Sequence, residues 1–229
     1  VTHLLPGRQA ALLRQPLVCL VTDGRREPSD LVARVEAAVA GGVTLVQLRE
    51  KQRPAGELLE LAAALRERLD GRAALLVNDR LDVALAADAA GVHLPANGLP
   101  PGAARRVARD LIVGRSVHDP WEAARVAAEG VDYLLLGTIF ATATHPDVTP
   151  AGLSLVRETR ARVSLPLLVI GGITAENAAQ TIEAGADGVA VVSAILSAAD
   201  VEAAARQIVQ AVQAGWQLRV GAASVLRIG

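Results

Sequence analysis

Eight short aliphatic runs recur along the chain, and no other feature limits its fold so tightly. They are "LVCLVTD" (17–23), "VTLVQLR" (43–49), "AALLVND" (73–79), "GVHL" (91–94), "LIVGRS" (111–116), "VDYLLLG" (131–137), "LPLLVIGG" (165–172) and "DGVAVVS" (187–193). Consecutive apolar positions over so few residues describe strands covered on both faces, as in a parallel sheet wrapped by helices. Ala-, Leu-, Arg- and Glu-rich segments with helical spacing lie between them. "SDLVARVEAAVAGG" opens on Ser29-Asp30, good N-cap residues, and closes on Gly41-Gly42, where a helix can stop. "PAGELLELAAALRERLD" carries Pro54 near its start, where a missing amide donor costs least. Four runs follow a near-repeat of helix end, small residue and strand: "AVAGGVTLV", "DAAGVHL", "AAEGVDYLLL" and "EAGADGVAVV". Strict alternation of eight strands with helices predicts an α/β fold, a single (β/α)8 TIM barrel over residues 17–214. Residues 1–16 form an N-terminal extension and residues 215–229 a C-terminal tail outside the eight-fold pattern.

Composition narrows the function classes. Apolar residues make up 52% of the 229, enough for a sizeable core, but aromatics only 2%, so Leu, Val, Ile and Ala must fill it. The net charge is −1 with no basic block, which argues against nucleic acid as a partner. The lone Cys19 falls inside the first run, reads as a small buried hydrophobe, and rules out a disulfide framework. No apolar stretch approaches the ~18 residues of a membrane span, and the start has no signal-peptide pattern. A soluble, cytoplasmic protein is expected.

In such a barrel the chemistry sits at the C-terminal ends of the strands. That rule selects Asp23, Gln47, Arg49, Lys51, Asn78, Asp79, Arg80, His93, Ser116, His118, Thr138, Gly171, Gly172 and Ser193. Lys51 is the only lysine in a chain otherwise supplied with arginine. It is read as aimed at anionic ligand groups, with a Schiff-base role and a plain surface role as alternatives. The charged "REKQR" context, Glu50 included, reads as a wet loop. "VIGGIT" and "VVSAIL" end the seventh and eighth runs, and late loops of this kind, with a short extra helix, frequently bind phosphate. Gly171, Gly172, Ser193 and Ala194 are therefore the expected phosphate cradle, and a small phosphorylated anion the expected ligand.

The motifs "VQLREK", "VNDR.DVA", "GVHL", "GRSVH", "GTIFATATHPD", "VIGGI" and "VVSAI" together resemble the thiamine phosphate synthase and thiazole tautomerase superfamily. Each is weak alone; seven in order, from 17 to about 213, are specific. For a synthase the resemblance implies pyrimidine pyrophosphate held by Gln47, Arg49 and Lys51, with Asn78, Ser116, Thr142 and Thr144 also lining the substrate site. It also implies Mg²⁺ held by Asp79 and a second aspartate. Where that aspartate belongs the chain has Gly98, within "PANG", and where a lysine normally follows the Thr-x-Thr pair it has His145. Losing a hard oxygen ligand and a permanent cation weakens the hold on pyrophosphate.

These departures, with "HLPANGLPP" and "GRSVH", are similar to the tautomerase branch. The leading expectation is a thiazole tautomerase of thiamine biosynthesis. It would aromatise a thiazole phosphate carboxylate by proton transfer through His118, with no metal. The alternatives are a thiamine phosphate synthase using Mg²⁺, with Asp79 as its metal ligand, and a non-catalytic sensor of a phosphorylated ligand. Barrels of this family often associate through surface helices, so the resemblance leaves a homo-oligomer open. Several residues keep two readings: His93 and His145 line the site or do not, and Asp79 meets a metal or pairs with Arg80. Trp121 is read as packing a helix and Trp216 as a tail contact.

Overall fold

The computed structural model describes residue 13, residues 16–142 and residues 149–225, with side chains to residue 221. The eight runs form β1 (Leu17–Val21), β2 (Leu45–Leu48), β3 (Ala74–Asn78), β4 (Gly91–Leu94), β5 (Ile112–Val117), β6 (Tyr133–Gly137), β7 (Leu167–Ile170) and β8 (Gly188–Val191). Each pairs in parallel with the next, and β8 pairs back to β1, closing the barrel. This is a single (β/α)8 TIM barrel. Outside it lie α1 (Pro28–Ala40), α2 (Ala55–Leu69), α3 (Leu81–Ala86), α4 (Pro101–Val107), α5 (Pro120–Ala127), α6 (Gly152–Arg160) and α7 (Ala178–Glu183). A short α8 (Ser193–Leu196) precedes the long α9 (Val201–Val225). Among the described residues no helix is long and apolar enough to cross a membrane.

The strands are buried on both faces because two separate cores use them. Val18, Val46, Val77, Val92, Val113 and Leu134 face the helices. Leu17, Cys19, Leu45, Leu76, Ile112, Tyr133, Leu135 and Leu168 fill the barrel. The two-residue period then sends Gln47 and Arg49 inward after Leu45, and Gly114 and Ser116 inward after Ile112. Cys19 is a free, buried thiol, as its strand position predicts.

Several local expectations are corrected. Helix α1 is capped by Glu27 with Pro28 in its first turn, so Ser29 and Asp30 lie inside the helix. Proline's fixed φ and missing donor suit that first position, and Asp30 instead pairs with Arg26 and Arg34. Trp121 packs no helix core: it is 72% exposed, with the Arg162 guanidinium 4.5 Å above its ring. The 214/215 boundary falls within α9, which continues through it without a break.

Candidate functional site at the barrel mouth

The β1 and β2 ends are tied together by one carboxylate. Glu50 is 5% exposed, and its oxygens accept from the Thr22 hydroxyl at 2.8 Å, the Gly24 amide at 3.2 Å and Arg53 Nε at 3.0 Å. Thr22 Oγ1 in turn accepts from the Arg49 amide at 2.8 Å. The loop read as wet is therefore pinned by a buried, fully partnered acid. It holds Arg49, half-buried and without a hydrogen bond or ion pair from its side chain to any described residue, at the end of β2, where its charge acts on the His93 ring. Burial lowers the pKa of that guanidinium, against the opposing pull of Glu50. Lys51 lies beyond the strand and is exposed.

Deeper in the barrel a polar row crosses from β2 to β6. His93 on β4 is 1% exposed; its Nδ1 lies 2.8 Å from Tyr133 Oη and its Nε2 2.8 Å from Ser116 Oγ. Burial depresses the His93 pKa to about 3, with help from the Arg115 and Arg49 charges, so the ring is neutral at ordinary pH. Burial likewise pushes the Tyr133 phenol well above its usual value. Gly114, on β5 opposite Tyr133, makes the row possible: a Cβ there would come within 2.1 Å of Tyr133 Cζ. Gln47 is 2% exposed, and its Nε2 is buried with no hydrogen-bond partner.

At the end of β3, Asn78 is half-buried and Asp79 exposed. Asp79 has φ of 65°, a left-handed conformation that Asp tolerates better than most residues. Arg80 forms its ion pair with Asp82, at 2.5 Å, so the reading that paired Arg80 with Asp79 is corrected. The Asp79 carboxylate takes no hydrogen bond or ion pair from the described residues. A Cβ built on Gly98 would lie 2.8 Å from Asp79 Oδ1, so these two positions face each other and only one carries a carboxylate. Arg115 holds the intervening loop by donating to the carbonyls of Leu99 at 2.9 Å and Ala96 at 2.6 Å. No group of three or more His, Cys, Asp or Glu side chains able to hold a metal comes together among the described residues. One carboxylate still fits Mg²⁺, an ion commonly bound through one or two carboxylates plus substrate phosphate and water.

Opposite β3 in the ring, the end of β7 packs against the loop after β6. Gly172 has φ of 62°, and a Cβ on it would meet the Ala141 carbonyl at 2.3 Å. Asn177 braces the turn, donating to the Gly172 carbonyl at 2.8 Å and accepting from the Thr174 amide at 2.9 Å. The amides of Gly171, Gly172, Ser193 and Ala194 donate to no described residue. Thr142 is half-buried in the loop after β6. Thr144 and His145 lie outside the described residues, as does His3.

The barrel thus brings half-buried Arg49, Asn78 and Ser116 to its mouth, with Gln47 buried beneath them, and places the four late-loop residues at the ends of β7 and β8. His118 is less enclosed: its side chain is 62% exposed, with Nδ1 3.6 Å from Glu122. Its amide donates to the Glu122 carboxylate at 2.7 Å, while Asp119 caps α5 through the amides of Trp121 and Glu122. The sequence leaves His93 open, gives no role to Tyr133 and suggests a wet loop for Glu50, which is buried. The one available hint was Gly114, a glycine inside a strand, which often marks close approach by a neighbour.

The family model described as thiamine monophosphate synthase matches residues 18–195. The chain belongs to this family. A thiamine-phosphate synthase from Methanoculleus marisnigri is 51% identical over 195 residues, covering 82% of this chain and 92% of that protein. One from Chloroflexus aurantiacus is 49% identical, covering 77% of this chain and 82% of that protein. The solved thiamine phosphate pyrophosphorylase from Pyrococcus furiosus superposes with a TM-score of 0.82 at 35% identity, covering 90% of this chain and 99% of that one. These relatives overturn the tautomerase expectation and, with it, the isomerase class. The proton-shuttle role given to His118 loses the reaction it served. The carboxylate missing at Gly98 counts for less than the sequence suggests, because Mg²⁺ can draw its remaining ligands from phosphate and water.

Proposed function

We propose that this chain is a thiamine phosphate synthase, a transferase that joins a pyrimidine pyrophosphate to a thiazole phosphate and releases pyrophosphate. The observation that carries the reading is the pairing of two anion-receptive zones on one mouth. Arg49 and Asn78 stand at the ends of β2 and β3, with Lys51 just beyond, and unused amides line the ends of β7 and β8. Each zone suits one of two anionic substrates. Arg49, partly desolvated and held by the Glu50 clamp, binds the pyrophosphate. The amides of Gly171, Gly172, Ser193 and Ala194 receive the thiazole phosphate.

As the carbon–oxygen bond to pyrophosphate breaks, the leaving group takes the electron pair and the thiazole fragment supplies the new bond to carbon. Charge therefore builds on the pyrophosphate oxygens, where Arg49, Lys51 and the Ser116 hydroxyl stabilise it. Gln47 and Asn78 orient the pyrimidine end, and Thr142 extends the substrate wall from the loop after β6. Asp79 would hold Mg²⁺, which when bound neutralises part of the pyrophosphate charge.

The test is pyrophosphate release by the purified protein given both substrates and saturating Mg²⁺. Release that depends on both substrates is expected, and its absence would sink the assignment. Arg49→Ala is expected to lower kcat/KM about a hundred-fold, the scale of one lost charge-stabilising donor, with the fold intact by circular dichroism.

A further inference from the structure

Beneath the charged rim, Tyr133 Oη, the His93 ring and Ser116 Oγ form a row joined by two contacts of 2.8 Å. Tyr133 and His93 are each 1% exposed, whereas Ser116 reaches the half-buried edge of the cavity. A neutral imidazole carries one ring proton, so the directions of the two hydrogen bonds are tied together. The phenol decides them. The acceptor that the described residues offer its proton is His93 Nδ1. The reverse order would leave a buried hydroxyl proton without an acceptor, which native interiors rarely keep. Tyr133 therefore donates to Nδ1 and Nε2–H donates to Ser116 Oγ. Having accepted there, Ser116 turns its own proton toward the mouth.

We propose that Tyr133 and His93 are positioning residues that fix the Ser116 hydroxyl as a hydrogen-bond donor into the barrel mouth, aimed at an anionic oxygen of bound pyrophosphate. The identity of that anion rests on the synthase reading; the direction of the proton rests on the hydrogen-bond row alone. The strand backbone is shaped around this phenol, because any side chain at Gly114 would occupy the space of its ring.

One readout needs no turnover. Nitrogen-15 NMR of the full chain at pH 7.5 reports which nitrogen of His93 is protonated, its signals being identified by their loss in His93→Gln, or in His93→Asn if that variant does not fold. The expected result is Nε2–H with Nδ1 bare, shifting to a mixture of tautomers in Tyr133→Phe. Nδ1–H in the unmodified protein overturns the proposal. The second readout is kinetic. Tyr133→Phe should lower kcat about ten-fold with KM for the thiazole phosphate unchanged, as befits a donor mis-aimed rather than deleted. The same change added to Ser116→Ala should cost nothing further, because the hydroxyl it aims is gone. Independent, additive losses overturn the positioning role. If no synthase turnover is seen, the synthase reading fails, while the tautomer measurement still decides the hydrogen-bond row.

Discussion

Glu50 lies between Arg49 and Lys51 in sequence, yet the three side chains have different fates. Arg49 points into the barrel, Lys51 stays exposed, and the Glu50 carboxylate is enclosed by Thr22, Gly24 and Arg53. Its neighbours on both sides are charged, so nothing local distinguishes it from a solvated acid; only the approach of the β1 loop buries it. Glu50→Gln keeps the shape but gives up the ion pair with Arg53 and sets an amide against the guanidinium. A loss of about 1–3 kcal/mol is expected from the urea unfolding midpoint, with KM for the pyrimidine pyrophosphate raised as Arg49 loosens. Unchanged stability and KM would mean that the clamp positions nothing.

The near-repeat ahead of the strands acquires a structural meaning at the level of elements. Asp132 and Asp187 each stand just before a strand and bridge backward to the previous one. Asp132 Oδ2 accepts from the Val113 amide at 2.7 Å and from Arg105 on α4 at 2.6 Å. Asp187 Oδ2 does the same with the Leu167 amide at 3.0 Å and Arg160 on α6 at 2.6 Å. Thr44 occupies the equivalent place before β2, contacting the Val18 backbone.

Asp187 also receives Arg219 from the far end of α9 at 2.8 Å. The Arg219 guanidinium stacks on Trp216 as well, 4.3 Å from its ring centre. The segment beyond 214, set apart in sequence because it lies past the eighth repeat, is therefore fastened to the bottom of the barrel. Truncation after residue 214 should lower Tm by about 4–10 °C, since one kcal/mol corresponds to roughly 2–4 °C at this chain length. Asp187→Ala should cost about 3–5 kcal/mol, because it strands two guanidinium groups and a strand amide. A truncated chain as stable as the full one would restore residues 215–229 to the status of a dispensable tail.

The whole molecule carries one acid-sensitive element in its centre. The folded protein holds His93 neutral down to about 3, whereas its ordinary value is 6.5. Between these values the unfolded chain binds a proton that the folded one refuses, so stability rises with pH there and this contribution is complete above the unfolded value. Unfolding free energy measured from pH 7 to pH 4 should therefore fall as the pH is lowered. The slope should be shallower in His93→Gln, and an identical slope in both proteins would remove His93 as its source.

Period and punctuation alone determined the barrel and its strand positions within a residue or two. Apolar runs of that length, repeated eight times between amphipathic helices, have few other ways to bury both faces. Gln47, Arg49, Asn78, Ser116 and the late glycine loops were legible for the same reason: their places follow from strand ends. The partners were not. That His93 meets Tyr133 and Ser116, that Glu50 is enclosed, that Asp79 faces Gly98, and that Arg219 returns to Asp187 depend on closure of the ring. Closure brings together residues tens of positions apart, and no local pattern encodes which side chains then share a dry interior.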